Sequence, residues 1–88
     1  MAWSVEFLRT AERQLERIDR TWQRRILDYL DDQVAVLDDP RQRGKSLASP
    51  LAGLWRYRVG DYRIVCEIVD AEQLIRVIKI GHRRSIYR

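Results

Sequence analysis

The sequence predicts an α+β fold, in which a helical hairpin packs on one face of a small, twisted and mainly antiparallel sheet in the order β-α-α-β-β-β. Apolar residues recur every three or four positions through the first half, as in amphipathic helices. Apolar and polar residues alternate in the second half, as in half-buried strands. Gly60-Asp61 separates two of these alternating runs and has the composition of a two-residue hairpin turn.

Length and composition indicate a single domain over residues 1–88. A chain of 88 residues, 45% hydrophobic and 34% charged, suits one modest core. No apolar run approaches the roughly 20 residues of a membrane span, and Glu6 and Arg9 interrupt any signal-peptide core. The single cysteine, Cys66, excludes an internal disulfide and fits a reducing compartment. We therefore expect a cytoplasmic protein with no membrane partner, no metal site and no cofactor.

Charge is distributed unevenly along the chain. Residues 1–40 hold six Lys/Arg and nine Asp/Glu, a net charge of −3. Residues 41–88 hold eleven Lys/Arg and four Asp/Glu, a net charge of +7, and the whole chain carries +4. A basic half of this density implies an anionic partner, of which nucleic acid is the first candidate. A solvated basic surface that keeps the protein soluble is the alternative.

The first half is predicted to form one strand and two helices. Residues 3–8 alternate, which indicates a half-buried strand. A helical apolar stripe follows, with Thr10 as the expected N-cap of the first helix and Thr21 of the second. A break at residues 19–21 makes these an αα-hairpin, and one long helix is the alternative. Asp38-Asp39-Pro40 ends the helical pattern.

Three strands are predicted in the second half, at residues 54–59, 62–69 and 73–80, after a basic loop at residues 41–53. The two-residue turn fixes the register and therefore the faces. One face of the hairpin should cover the helices and carries Trp55, Tyr57, Val59, Tyr62, Ile64 and Cys66. We accordingly expect Cys66 to be a core residue rather than a nucleophile.

The opposite face of this hairpin carries Arg56, Arg58 and Arg63, and we call it the arginine face. Arg58 is predicted directly opposite Arg63, although opposed like charges destabilise a strand pair. A local rule broken without structural gain points to function. Guanidinium groups suit phosphate, because their fork matches two phosphate oxygens and stays charged. An ordinary solvated sheet face is the alternative.

The third strand is expected to pair Arg76 with Glu67 on the arginine face. Continued alternation sends Ile78, Ile80 and His82 to that face as well, unless Gly81 inserts a bulge. The C-terminal segment that follows should then end close to Arg63. His82 and Tyr87 are the candidates there for proton transfer if the bound RNA or DNA is cut.

The stretches from Leu54 to Val65 (LWRYRVGDYRIV) and from Gly81 to Tyr87 (GHRRSIY) resemble the RelE branch of the RelE/ParE toxin superfamily. With the element order, the resemblance covers essentially the whole chain. It implies the toxin of a type II toxin–antitoxin system, a metal-independent endoribonuclease (mRNA interferase) that inhibits translation. Such toxins cut mRNA in the ribosomal A site by attack of a 2′-hydroxyl on the adjacent phosphate. The implied partners are the ribosome, mRNA and a cognate antitoxin that wraps the toxin, with operator DNA bound only through the antitoxin complex.

The resemblance also implies, by position, catalytic roles for Arg56, Arg58, Arg63, His82, Arg83 and Tyr87. Tyr87 corresponds to a tyrosine that stacks on an mRNA base. Lys45 and Arg84 are predicted to bind nucleic acid. Because arginine resists deprotonation, two mechanisms stay open: His82 or Tyr87 shares the proton transfers, or the reaction depends mostly on orientation and charge stabilisation.

Two other functions are compatible with the sequence. A ParE-like toxin that inhibits DNA gyrase shares the fold without needing nuclease residues, and the presence of Arg63, Arg83 and Tyr87 argues against it. A non-catalytic nucleic-acid-binding module would bind RNA or DNA in a salt-dependent manner without cutting it.

Overall fold

The computed structural model describes residues 2–86. Its strands are β1 (Ser4–Phe7), β2 (Lys45–Ser46), β3 (Trp55–Val59), β4 (Tyr62–Val69) and β5 (Leu74–His82). Its helices are α1 (Arg9–Glu16) and α2 (Arg20–Tyr29), and a π-helical turn over Leu30–Val34 continues α2. Short 3-10 turns occupy Pro40–Gln42 and Asp70–Glu72. No helix among these residues is long and apolar enough to cross a bilayer.

The five strands form one sheet in the order β1-β5-β4-β3-β2, and both helices pack on one face of it. β1 runs parallel to β5, and the other pairings are antiparallel. The predicted α+β class and the β-α-α-β-β-β order are confirmed. β2 is an addition: two residues of the segment predicted as a basic loop pair with β3 and lengthen the sheet by one short edge strand.

The β3–β4 hairpin has the predicted register, with Val59 opposite Tyr62 and Arg58 opposite Arg63. Gly60 has a φ of +59°, whereas Asp61 is not among the residues with positive φ, which is the pattern of a type II′ turn. Glycine adopts this conformation without steric cost. The ring of Trp22 from α2 also lies against Gly60 and leaves no room for a Cβ.

The helix N-termini differ from the predicted ones. Leu8 is the N-cap of α1, and its side chain makes no capping hydrogen bond. The predicted N-cap, Thr10, lies inside the helix. At α2 the carboxylate of Asp19 accepts a hydrogen bond from the backbone N–H of Thr21 at 3.1 Å, which makes Asp19 the N-cap. The predicted break between two helices is confirmed, and the Gln23 amide secures it by donating to the Ile18 carbonyl at 2.7 Å.

The core lies between the helices and the sheet. Ala11, Leu15, Ile26 and Leu30 pack from the helices against buried sheet residues, namely Tyr57, Ile64, Cys66, Ile75, Val77 and Ile80. The buried hydroxyl of Tyr57 donates to the Pro40 carbonyl at 2.7 Å, which attaches the segment after α2 to the sheet. This hydrogen bond satisfies the one polar atom of Tyr57 inside an otherwise apolar layer.

A β-bulge interrupts the β4–β5 pairing. Val65 pairs with Lys79 but the next residue, Cys66, pairs with Val77, so Ile78 is the extra residue. After it, the backbone N–H of Ile80 donates to the side chain of Gln14 on α1 at 2.7 Å.

The bulge shifts the alternation of β5 by one position. Ile80 is buried in the core and His82 pairs with Tyr62, so both side chains belong to the helix-facing side. The prediction that Ile80 and His82 face the arginines is therefore wrong, and Lys79 and Gly81 occupy that side instead. The predicted pairing of Glu67 with Arg76, before the bulge, is confirmed.

We predict that Gly60→Ala destabilises the protein more than Gly53→Ala does. Both glycines have positive φ, of +59° and +94°, but nothing lies within 4 Å of a Cβ at Gly53, whereas Trp22 blocks one at Gly60. Gly53→Ala should therefore show backbone strain alone, of about 1 kcal/mol. Gly60→Ala should cost about 1–3 kcal/mol more from overpacking. Urea unfolding of both variants measures the difference, and equal losses would contradict the role given to Trp22.

Candidate nucleic-acid interface

The helix-free face of the sheet brings together cationic side chains from four strands. Arg56 and Arg58 come from β3 and Arg63 from β4, as predicted. Lys45 pairs with Arg56 from β2, and Lys79 pairs with Val65 on β5, which adds two lysines to the same face. Lys45 was predicted to bind nucleic acid, whereas Lys79 was missed because only the bulge at Ile78 turns it to this side.

A pocket lies at the β2 edge of the arginine face, with a cavity volume of about 190 Å³. Tyr29, Gly44, Lys45, Arg56 and Arg58 line it. Gly44 has a φ of +77°, and its backbone lies against the Arg56 carbonyl and the Trp55 and Tyr57 rings, so a side chain would not fit. Tyr29, a half-buried residue of α2, was not predicted to belong to the site.

The Nε of Arg56 is buried and has no hydrogen-bond partner among the residues that the structure describes. A buried donor without a partner is costly, and most buried polar groups in proteins are paired. Because this atom is covered by protein, an anion in the adjoining pocket could accept its hydrogen bond only after a movement of the Arg56 side chain. The unpaired Nε therefore marks an unsatisfied position beside the pocket.

Arg63 is held against the hairpin turn. Its Nη1 donates to the carbonyl of Gly60 at 3.0 Å and to that of Tyr62 at 3.1 Å. These bonds fix the guanidinium at the turn end of the sheet, beside the exposed Arg58.

The segment after β5 folds back at this same end of the sheet. The backbone N–H of Arg83 donates to the Asp61 carbonyl at 2.7 Å, and the N–H groups of Ser85 and Ile86 donate to the His82 carbonyl at 2.9 and 3.0 Å. Ile86 is buried and covers the side of Gly81 on which a side chain would project. Because Gly81 pairs with Arg63, the segment lies close to Arg63, as predicted.

Arg58, Arg63 and the segment containing Arg83 meet at the turn end of the sheet, and we call this region the cationic corner. Asp61 is an acidic residue within it, and the sequence predicted it only as a turn residue. Its carboxylate lies 3.6 Å from Nε of Arg83 and 4.0 Å from Nε2 of His82. The Nδ1 of His82 accepts a hydrogen bond from the backbone N–H of Arg84 at 3.3 Å, and its Nε2 is the nitrogen nearer to Asp61. Aspartate is so common in turns that its second role left no separate signal in the sequence.

His82 itself packs away from the arginines. Its ring meets Tyr62 edge-on at 6.0 Å between centroids, and Tyr62 lies 5.7 Å from Trp22 of α2. The predicted position of His82 on the arginine face is therefore wrong, and its catalytic role stays a prediction. Arg84 is exposed in the last turn, and Tyr87 lies outside the described residues.

The arginines of this face of the sheet differ in whether they have acidic partners. Arg76 pairs with Glu67 at 2.8 Å and with Glu6 at 3.7 Å. By contrast, Arg56 and Arg58 form no ion pair with any residue in the range 2–86. The same range contains no cluster of three or more His, Cys, Asp or Glu that could hold a metal ion. The unpaired charge of Arg56 and Arg58 is of the kind that suits phosphate groups.

Comparisons with known proteins match nearly the whole chain. The family described as ParE toxin of type II toxin–antitoxin system, parDE, matches residues 5–87. Toxin RelE of Mycobacterium tuberculosis is 31% identical over 86 residues, which cover 98% of this chain and 87% of that protein. Toxin RelG of the same organism is 28% identical over 88 residues, covering 100% and 99%.

Solved structures share the fold. A chain of the RelBE2 toxin–antitoxin complex from M. tuberculosis has a TM-score of 0.85 at 25% identity, over 94% of this chain and 93% of that one. The isolated Escherichia coli RelE toxin has a TM-score of 0.72 at 17% identity, over 92% and 84%. The archaeal RelE–RelB complex from Pyrococcus horikoshii gives 0.66 at 21% identity, over 97% and 99%.

We predict that the thiol of Cys66 does not react with Ellman's reagent in the folded protein. Cys66 is fully buried, as expected for a core residue, and burial raises the pKa of its thiol, so both access and the thiolate are missing. Absorbance at mildly alkaline pH should show no released chromophore until denaturant unfolds the chain. Because the folded pKa lies above that of the unfolded thiol, stability should fall as pH rises past about 8.5. Rapid labelling without denaturant would place Cys66 among the reactive groups.

Proposed function

This chain belongs to the RelE/ParE toxin superfamily and is a type II toxin of the RelE family, and from that premise we propose that it is a ribosome-dependent mRNA endoribonuclease. The observation that carries the proposal is the corner where Arg58 and Arg63 meet the segment containing Arg83. β3 and β4 hold Arg58 and Arg63 opposite each other, and the two helices pack on the other face of the sheet.

In the proposed reaction, the message lies across the arginine face. Arg56 and Lys45 hold a phosphate in the pocket at the β2 edge, and Arg58, Arg63 and Arg83 surround the scissile phosphate. The 2′-hydroxyl attacks that phosphate, the bond to the 5′-oxygen breaks, and a cyclic phosphate end remains. Rigid guanidinium groups offset the charge that builds up on the phosphoryl oxygens without reorganising during the reaction.

The groups that transfer protons must differ from the arginines that stabilise charge. Arginine stays protonated, so the general acid and base must be other groups or the ribosome's own. Tyr87 follows the folded-back segment in sequence and is our candidate to stack on a base or to donate the proton. For His82 we propose a positioning role, because it holds Asp61 and the backbone of Arg84 and so fixes the turn that presents Arg83.

A cognate antitoxin is the proposed regulatory partner. The RelBE2, E. coli RelBE and archaeal RelE–RelB structures are complexes of a toxin with its antitoxin. By analogy, an antitoxin would wrap this chain and mask the arginine face, and operator DNA would be bound only through that complex. We propose that the complex acts in the cytoplasm, where translating ribosomes are available.

Inhibition of DNA gyrase is the second candidate, because the matching family is described as ParE toxin. A gyrase inhibitor has no need for the cationic corner or for the unpaired Arg56 Nε. Supercoiling assays with purified protein distinguish the two: inhibition of gyrase by a variant lacking Arg63 would favour the ParE activity.

We predict that Arg63→Gln lowers ribosome-dependent cleavage at least 100-fold, the usual cost of removing one group that stabilises transition-state charge. Tyr87→Phe keeps the ring and removes only the hydroxyl, so a loss in this variant reports proton transfer rather than stacking. Primer extension on messages from purified translating ribosomes measures both rates.

Arg76→Gln is the matched control. It removes the same group from the same face of the sheet, but at the end where Glu6 and Glu67 already balance the charge. Its cleavage rate should stay within about twofold of the starting protein, because exposed ion pairs contribute little. Equal losses in Arg63→Gln and Arg76→Gln would point to general charge attraction instead of a reaction site.

We also predict that the antitoxin raises the melting temperature of the toxin. A ligand that binds only the folded state adds stability that grows with its free concentration relative to Kd. Thermal melts at increasing antitoxin concentration should rise continuously. A melting temperature that stays constant in the presence of a bound antitoxin would contradict the prediction.

A further inference from the structure

A second group of arginines lies on the outer side of the helical hairpin, away from the arginine face. Arg20, Arg24 and Arg25 of α2 line a surface depression of about 480 Å³ together with Thr21. Arg17 follows α1 on the other side of the corner between the helices. All four arginines are exposed, and we call them the helical arginine patch.

The patch contradicts the charge preferences of a helix. Arg20 is the first residue of α2, where the positive end of the helix dipole disfavours a cation. The N-cap Asp19 supplies one carboxylate just before it, but the first turn itself has no acidic residue. Arg20 and Arg24 are four positions apart, which sets like charges on one face. The acidic residues Asp28, Asp31 and Asp32 lie at the other end, where the dipole disfavours them.

The positive charge of the patch is not neutralised locally. None of the four arginines forms an ion pair within residues 2–86, whereas Arg41 and Arg76 do. The guanidinium of Arg25 lies over the Trp22 ring at 4.7 Å from its centroid, which holds the group in place while leaving its charge available. The like charges of Arg20 and Arg24 cost helix stability and gain no ion pair within residues 2–86, so they point to an external anion.

We propose that the helical arginine patch binds the backbone of double-helical RNA while the arginine face holds the message, an inference that rests on the proposed ribosomal function. The buried side of α2, with Ile26, faces the sheet, so the exposed Arg20 and Arg24 lie on the side of the helix away from the sheet. A structured RNA on that side and a message on the arginine face can therefore be bound together.

The chemistry of the patch fits RNA better than a protein. Interfaces between proteins have an apolar centre from which charge is depleted. Here the exposed large hydrophobic residues of the described range are Leu8 and Val36, and neither belongs to the patch. Double-helical RNA is recognised mainly by shape and through phosphates and 2′-hydroxyls, for which exposed arginines on a firm helix suffice.

The test measures binding of the purified full chain to a short RNA hairpin across a salt series, by fluorescence anisotropy. Arg20→Gln/Arg24→Gln should weaken binding about tenfold and lower the slope of log K against log salt by about two, one for each lost phosphate contact. The control is Arg41→Gln/Arg76→Gln, which removes as many guanidinium groups that already have acidic partners. Its affinity should change by less than about twofold.

Three outcomes would overturn the proposal: equal losses in both double variants, no loss in Arg20→Gln/Arg24→Gln, or a loss confined to a DNA hairpin of the same sequence. Arg58→Gln/Arg63→Gln separates the faces, since any loss of hairpin binding in this variant should be smaller than the loss in Arg20→Gln/Arg24→Gln. Loss of antitoxin binding instead of RNA binding in the patch variant would assign the surface to a protein.

The variant also has a stability readout. Removing two charges that oppose the helix dipole should leave the melting temperature of Arg20→Gln/Arg24→Gln at or above that of the starting protein. The single Arg24→Gln repeats the binding test if the double variant melts lower. Because neither measurement uses ribosomes or cleavage, both give the same answer whether or not the chain cuts mRNA.

Discussion

The register of the β3–β4 hairpin is the constraint on which the rest of the structure depends. Gly60 supplies the positive φ that a two-residue turn requires, and the turn sets Val59 opposite Tyr62. Alternation then sends Tyr57 and Ile64 to the helices and the arginines to the uncovered side. A slip of one residue would exchange the two sets, burying three guanidinium groups and exposing the core. Fold and candidate site therefore share one local determinant.

Features encoded by neighbouring residues could be predicted from the sequence. The apolar periods gave the helices and strands, and the Gly60-Asp61 turn gave the register and the arginine face. The bulge at Ile78 could not be predicted, because a β-branched residue in a strand gives no local sign of a bulge. The side chain that accepts the hydrogen bond of the Ile80 backbone N–H after the bulge, Gln14, is 66 positions away in the sequence. For the same reason the orientation of His82 was wrong. β2 was missed because two residues are too few to show a period.

The placement of charge shows where stability and function compete. Arg41 and Arg76 form ion pairs with Asp70 and Glu67. If stability were the only constraint on the sequence, the other arginines would be expected to have acidic partners as well. Arg58 and Arg63 instead lie opposite each other across the hairpin, and Arg20 lies at the positive N-terminal end of the α2 dipole. These positions lie on opposite sides of one thin layer of sheet and helix. The repulsion is thereby split between two surfaces, and the core between them carries no charge.

The parallel pairing of β1 with β5 has a consequence for the order in which the protein becomes complete. Ser4–Phe7 finds its strand partner at Leu74–Val77, near the other end of the chain. A nascent polypeptide thus carries an unpaired first strand until its last strand has emerged, and such long-range closure is slow. Arg63 meets the segment containing Arg83 only at that moment. The cationic corner is accordingly absent from any chain in which β5 has not yet paired with β4.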